Sequence, residues 1–213
     1  LEPDRAHLLI ADVFTGAIYR VNIETEITKR VYKHRFGVNT AIRDNSGAVW
    51  FTQSTENRAG RKSEERLLSA PMNRFVSDGA LYRIAPSSGR RAPGKARRVL
   101  SGLSFANGIV IDEKRGVLYL NETMGNRVTA YHLAVQTGAL SDGRVVANVL
   151  TPDNIELDER GRLWVASPIR NEIVMIDPDS GETKTVFRAQ TADNDRIAAE
   201  WRRRGEAREP MLE

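Results

Sequence analysis

Three polar residues recur at one position of a repeated pattern: Asn39, Asn107 and Asp153 each precede an aromatic residue by eleven or twelve positions. Hard cations such as calcium prefer amide and carboxylate oxygens as ligands, and Asn154 adds a fourth oxygen beside Asp153. If the fold brings these positions together, they form a site for a divalent cation. The alternative is that the same side chains bind backbone groups at strand starts and turns.

The repeat that carries these residues has the form of a β-hairpin. Two segments rich in Val, Ile, Leu and aromatic residues flank a turn that contains Asp and Gly. The aromatic residues are Trp50, Tyr119 and Trp164, and their shared position predicts packing inside a blade rather than stacking on a substrate. Further strand signals follow each hairpin. Four short strands in about 45 residues, with no helical pattern between them, are typical of a β-propeller blade.

We therefore predict an all-β fold in which residues 1–213 form one partial β-propeller domain with about four blades. Residues 55–76 interrupt the rhythm and are predicted to be an insertion within a blade that contains a short helix. Residues 192–207 are predicted to form a helix that Asp193 or Asn194 could cap. The predicted packing face of this helix consists of Ile197, Ala198 and Trp201.

The composition is that of an ordinary globular protein, with 40% hydrophobic and 28% charged residues. Cysteine is absent, which excludes disulfides and thiolate metal sites. No apolar run approaches the ~18 residues of a membrane-spanning helix, and the first residues lack a signal-peptide pattern. We expect no membrane partner, and the cytoplasm rather than the periplasm. The net charge is +4, but the basic run 90–98 has no interleaved aromatic residues, which argues against nucleic-acid binding.

Three pairs of segments occur in a fixed order along the chain: Phe36–Asn39 with Val49–Ser54, Phe105–Asp112 with Leu118–Thr123, and Thr151–Asp158 with Gly161–Pro168. In this order they resemble the blade motifs of the gluconolactonase/senescence-marker-protein family, whose relatives include the strictosidine-synthase-like proteins and the paraoxonases. The similarity extends from about Leu8 to Phe187. The resemblance implies a six-bladed parent propeller, of which this chain would be a piece truncated at both ends.

The resemblance also implies a function and a site. It implies a divalent cation, usually calcium, on the propeller axis, where it would polarise the carbonyl of a small lactone or ester during hydrolysis. Asp153 would be the catalytic acid-base residue, and Glu122 and Gln53 are predicted to contact the substrate. The metal ligands that the resemblance implies are Asn39, Asn107, Asp153 and Asn154.

Some features depart from the family pattern. The glutamate ligand that family members supply from the first blade is upstream of anything present here, and Thr40 stands where an Asp often follows the Asn. Alternatives therefore stay open: a strictosidine-synthase-like propeller, a non-catalytic propeller that binds a small ligand without metal, or an inactive fragment. Self-association could cover open blade edges. His34 is interpreted as a surface residue rather than a catalytic one.

Overall fold

Antiparallel sheets account for most of residues 1–56, 71–86 and 94–211, which are the residues that the computed structural model describes. The chain forms four such sheets in sequence order, here called blades 1 to 4. Neighbouring strands in each blade are consecutive in the chain, as in a meander. Most of the predicted insertion at 55–76 falls on residues 57–70, outside the described residues.

Blade 1 has three strands and the other blades have four. Blade 1 consists of β1 (His7–Ala11), β2 (Ala17–Asn22) and β3 (Thr28–Lys33). Blade 2 consists of β4 (Ala41–Arg43), β5 (Val49–Gln53), β6 (Gly79–Ile84) and β7 (Arg97–Leu103). Blade 3 consists of β8 (Ala106–Asp112), β9 (Val117–Glu122), β10 (Arg127–Ala134) and β11 (Ala139–Asn148). Blade 4 consists of β12 (Ile155–Leu157), β13 (Leu163–Ser167), β14 (Glu172–Ile176) and β15 (Thr183–Arg188).

The first strands of blades 2, 3 and 4 pack against one another on the inner side of the fold. Strand β4 contacts β1 and β8, and β8 contacts β12. This arrangement confirms the predicted all-β propeller class. In blade 1 no described strand lies on the inner side of β1, where the other blades have their first strand. The self-association predicted to cover such edges stays a prediction.

Apolar layers between adjacent blades form the core. The layer between blades 1 and 2 contains Ile18, Val38, Val49, Phe51 and Ile84. The layer between blades 2 and 3 contains Trp50, Leu81, Leu103, Ala106, Ile109, Leu118, Leu120 and Leu133. The layer between blades 3 and 4 includes Tyr119, Val128, Val146, Val149, Leu163, Val165 and Ile176. Blades 2 and 3 therefore carry an apolar layer on both faces, which explains why β5 is buried along its whole length. Blades 1 and 4 have a described neighbour on one face only, and Ile10 and Phe187 in these blades are exposed.

In blades 2 and 4 the aspartate of the hairpin turn fixes the aromatic residue of the following strand. Asp44 accepts a hydrogen bond from Trp50 Nε1 at 2.8 Å, and Asp158 accepts one from Trp164 Nε1 at 3.0 Å. Trp50 is fully buried, so its N–H needs this acceptor. Trp50 and Tyr119 therefore pack between blades as predicted, whereas Trp164 is only partly buried.

The helix α1 (Ala192–Ala207) has the range predicted from the sequence. Its cap differs: the Thr191 hydroxyl accepts the N–H of Asn194, so neither Asp193 nor Asn194 is the cap. Thr191 has the extended backbone of a capping residue, whereas the next residues are already helical. The predicted packing face is correct for Ala198 and Trp201, which are buried, but Ile197 is 45% exposed. No helix in the described part of the chain is long and apolar enough to cross a membrane.

Replacing Asp44 by Ala is expected to destabilise the protein by about 2–3 kcal/mol, because two buried donors, Trp50 Nε1 and the N–H of Ala48, lose their acceptor. Asp158→Ala is the matched control and should cost less, because the Asp158 side chain is 22% exposed and water can replace it. Urea unfolding followed by fluorescence measures both. Equal losses for the two variants would contradict the role of burial.

Candidate metal and active site

The three predicted polar positions lie where the inner strands begin. Asn39 precedes β4, Asn107 is the second residue of β8, and Asp153 precedes β12. Backbone contacts join these starts. The Thr52 hydroxyl donates to the Asn107 carbonyl at 2.7 Å and accepts the N–H of Thr40 at 3.1 Å. The N–H of Gly108 donates to the Asp153 carbonyl at 3.0 Å. The three segments therefore meet at one end of the inner strands.

A repeated pair of hydrogen bonds fixes these segments between blades. From blade 2, Thr52 and Ser54 donate to the carbonyls of Asn107 and Ala106. From blade 3, Asn121 and Thr123 donate in the same way to the carbonyls of Asp153 and Pro152, at 2.8 and 2.9 Å. Each pair lies two and four residues after the blade aromatic. The second strand of one blade thus holds the candidate ligand segment of the next.

Gly108 permits the close approach of blades 3 and 4 at this point. A Cβ atom added there would lie 2.5 Å from the Asp153 carbonyl oxygen and 2.8 Å from the backbone nitrogen of Ile155. Backbone atoms cannot move aside as a flexible side chain could, so a larger residue would push Asp153 away from Asn107.

Asn107 has the environment of a ligand that lacks its partner. It is 4% exposed, and its Nδ2 donates to the Thr123 hydroxyl at 3.0 Å. Its Oδ1 is buried and has no hydrogen-bond partner. A buried acceptor without a partner is costly, and a cation is one partner that would satisfy it.

Asp153 supplies the negative charge beside this oxygen. Burial raises the pKa of its carboxyl group, and a hydrogen bond from the Asn107 side chain partly offsets that increase. Because burial disfavours the ionised carboxylate, a neighbouring cation would stabilise it. The donor chemistry of Asn107 and Asp153 therefore fits a hard divalent cation.

The other two predicted ligands are placed differently. Asn39 is partly buried and its Oδ1 accepts a hydrogen bond from the Thr40 hydroxyl at 3.2 Å, which leaves the second lone pair of this oxygen for a cation. Asn154 is exposed, and its backbone carbonyl pairs with Ala166. The backbone of Asn39 thus lies where the three segments meet, whereas the Asn154 side chain faces solvent.

A different carboxylate–histidine group, Glu2, Asp4 and His7, is the one metal-ligand cluster of His and acidic residues within residues 1–56, 71–86 and 94–211. Its buried member, Glu2, accepts hydrogen bonds from Arg20 and Arg43, each at 2.7 Å. Arg43 is the last residue of β4, at the opposite end from Asn39. The two arginines therefore balance the charge of the Glu2 carboxylate, and these ion pairs link blade 1 to blade 2.

Gln53 and Glu122 occupy equivalent strand ends, but their placement does not support the predicted contact with substrate. Gln53 is fully buried, with its Oε1 3.0 Å from His34 Nε2. Glu122 is 1% exposed and accepts hydrogen bonds from Arg127 and from the backbone N–H of Ser104. Both side chains already have protein partners and turn toward loops of the protein.

His34 is partly buried in an aromatic cluster, which its interpretation as a surface residue did not foresee. The rings of Tyr82 and Phe51 lie 4.6 and 5.2 Å from it, centroid to centroid. Burial lowers the pKa of His34, and the hydrogen bond with Gln53 partly opposes this. His34 therefore packs as a neutral ring at neutral pH.

The chain matches a family model described as the SMP-30/Gluconolactonase/LRE-like region over residues 1–194. The chain belongs to this family. The match includes all four blades and every candidate ligand, so the resemblance seen in the short motifs is confirmed for the whole sheet region.

Among curated relatives, regucalcin of Danio rerio is 29% identical over 119 residues, which are 54% of this chain and 38% of that protein. Protein STRICTOSIDINE SYNTHASE-LIKE 13 of Arabidopsis thaliana is 29% identical over 170 residues, 76% of this chain and 39% of that protein. The aligned regions thus span about two fifths of these relatives. A solved gluconolactonase from Xanthomonas campestris shares the fold, with a TM-score of 0.66 and 21% identity over 88% of this chain and 60% of its own.

Thr123→Val tests the inter-blade hydrogen bonds. It removes the donor to Pro152 and the acceptor of Asn107 Nδ2, so we expect a loss of about 1–3 kcal/mol of unfolding free energy in urea. Thr129→Val is the matched control in the same blade, because the Thr129 hydroxyl is buried without a partner and its removal should cost little or stabilise. Similar losses for both variants would contradict this assignment.

Stability should fall as the pH is lowered through the range in which an unfolded histidine titrates, at about pH 6.5. Because the pKa of His34 is lowered by folding, the unfolded state takes up its proton first, and stability is lost as pH decreases. His34→Phe removes this contribution. Urea unfolding at about pH 7.5 and pH 5.5 should show a smaller pH-dependent loss for the variant than for the wild type. Parallel losses would show that His34 is not responsible.

Proposed function

We propose that this chain carries the centre of a metal-assisted lactonase or esterase. The observation that carries the proposal is the buried, unpartnered Oδ1 of Asn107 beside the partly buried carboxyl group of Asp153, where three inner strands begin. Membership of the SMP-30/gluconolactonase family supports the same reaction class. The aligned regions span about two fifths of the curated relatives, so the activity of the whole protein is part of this proposal.

The residues that would hold the cation are Asn107, Asp153 and Asn39, all through side-chain oxygens. Oxygen ligands of this kind favour calcium among the common divalent ions. When bound, the cation would supply Lewis-acid polarisation of a lactone or ester carbonyl. Asn154, whose side chain is exposed, would need to rotate inward to add a ligand.

Asp153 is proposed to act as the general base. Burial raises the pKa of its carboxyl group, and a bound cation would lower that pKa again, so that the carboxylate is ionised and can accept a proton. The carboxylate would take a proton from the attacking water and return it to the ring oxygen as the C–O bond breaks. The product is the open-chain hydroxy acid. Gly108 and Asn121, which hold the Asp153 carbonyl, would keep this residue in place.

Proton release from small lactones, with an aldonolactone as the first probe, tests the proposal against the spontaneous rate. We expect turnover that chelation abolishes and calcium restores. Asp153→Asn should lower kcat by about 10²-fold or more, because the general base is lost while the side-chain volume is kept. Thr129→Val is the control: the Thr129 hydroxyl makes no hydrogen bond, to the site or elsewhere, so turnover should be unchanged. Activity that survives chelation, or that survives Asp153→Asn, would contradict the proposal.

A second candidate is a propeller that binds a small ligand in the same place without metal. The observation in its favour is that Asp153 is the one carboxylate among the four candidate ligands, which gives a cation little charge compensation. Binding of a lactone that is unchanged by chelation and is not followed by proton release would favour this candidate over the enzyme.

A further inference from the structure

Equivalent side chains at the ends of three second strands contact the segments that lead into the candidate ligands. We call these lead-in segments: residues 34–39, 104–107 and 150–153. Gln53 of β5 binds His34, Glu122 of β9 binds the N–H of Ser104, and Ser167 of β13 donates to the carbonyl of Leu150. Each contact joins the strand end to the lead-in segment of the same blade.

These three residues have one register and one degree of burial. Each lies three residues after the aromatic of its blade, and each is at most 1% exposed. Their residue types differ, but each offers a polar atom to the lead-in segment. The preceding blade binds the same segments from the other side, through the Thr52–Ser54 and Asn121–Thr123 pairs. The lead-in segments of blades 3 and 4 are therefore held from two directions.

The lead-in segments have backbone conformations that require such support. Phe105 has φ of 62° and Thr151 has φ of 45°, each two residues before its candidate ligand. Left-handed backbone is unfavourable for bulky and β-branched residues and persists where surrounding contacts impose it. Gly37 stands at the same position before Asn39 but does not have a positive φ. The left-handed conformation therefore recurs in the lead-in segments of blades 3 and 4.

Glu122 provides the strongest of the three contacts. Its Oε2 accepts the Ser104 N–H at 2.8 Å, while Arg127 donates through Nε to Oε1 at 2.8 Å and through a terminal nitrogen to Oε2 at 3.0 Å. A carboxylate accepts all three bonds, but an amide has a single acceptor oxygen. Glu122→Gln hardly changes the shape of the side chain but removes one acceptor oxygen. Either the Ser104 N–H or one Arg127 N–H therefore loses its hydrogen bond.

We propose that Glu122 is a positioning residue of the candidate cation site, holding the strained segment 104–107 so that the Asn107 side-chain oxygen faces the cation. Gln53 and Ser167 do the same for the segments that carry Asn39 and Asp153. The proposal rests on the proposed function, since it assigns a purpose to the orientation of a metal ligand. It also replaces substrate contact as the role of Glu122 and Gln53.

Glu172 offers a matched control for Glu122. It is also a buried carboxylate at one end of a blade, and it binds Arg188 and Arg170. Its contacts are to these arginines and to Thr185, not to a lead-in segment. Glu172→Gln should therefore weaken a comparable ion pair without disturbing Asn107.

The experiment compares wild type, Glu122→Gln and Glu172→Gln by calorimetric titration with calcium and by native-state amide hydrogen exchange. We expect both variants to lose stability. Glu122→Gln alone should weaken calcium binding by about 10- to 100-fold, the usual effect of removing a residue that orients a ligand. It alone should also accelerate exchange at residues 104–107 relative to residues 150–153.

Two results would overturn the proposal: calcium binding by Glu122→Gln equal to that of wild type, or an equal loss of affinity in Glu172→Gln. If wild type binds no calcium, the proposed function fails by itself. Exchange at residues 104–107 then decides the positioning role: unchanged exchange in Glu122→Gln overturns it, and selective acceleration supports the ordering of this segment by Glu122.

Discussion

The structure depends most on the hydrogen bonds by which one blade satisfies the backbone carbonyls at the start of the next inner strand. The inner strands of adjacent blades pack against one another, and buried carbonyls there must find donors within the protein. Thr52 and Ser54 supply them from blade 2, and Asn121 and Thr123 supply them from blade 3. These bonds set the angle and spacing of adjacent blades near the axis, and the apolar layers fill the space behind them. Blade 4 has Ala166 and Pro168 at the matching positions, so it offers no such donors.

The same bonds explain why polar side chains converge there and still leave acceptor oxygens without donors. The backbone carbonyls take up the donors of Thr52, Ser54 and Asn121, and Asn107 Nδ2 is used by Thr123. Acceptor oxygens are left over, with Asn107 Oδ1 buried and unpartnered and the ionised form of Asp153 disfavoured by burial. An excess of acceptors in a confined place is the condition that a cation relieves. The left-handed residues of the lead-in segments indicate that this arrangement is imposed on the chain rather than adopted freely.

Much of the fold could be predicted from the sequence because hairpin and helix signals are local. The recurring aromatic position, the turn aspartates and the range of α1 all depend on neighbours within a few residues. The motif spacing predicted that Asn107 and Asp153 lie close together, as they do, whereas their role as cation ligands stays a prediction. The orientation of Glu122 and Gln53 depends on Ser104 and His34, which their own strands do not specify. A signal was present in the polar residues two and four positions after Trp50 and Tyr119, where a buried strand would otherwise be apolar.

The most direct test is a crystal structure grown with Mn²⁺ in place of calcium, using anomalous scattering to locate the ion. The account predicts one strong peak at the start of the inner strands, within about 2.1–2.6 Å of Asn107 Oδ1 and an Asp153 carboxylate oxygen, with Asn39 or water completing the shell. A peak at Glu2, Asp4 and His7 alone, or an Asn107 Oδ1 that is hydrogen-bonded to a protein donor with no ion nearby, would contradict it.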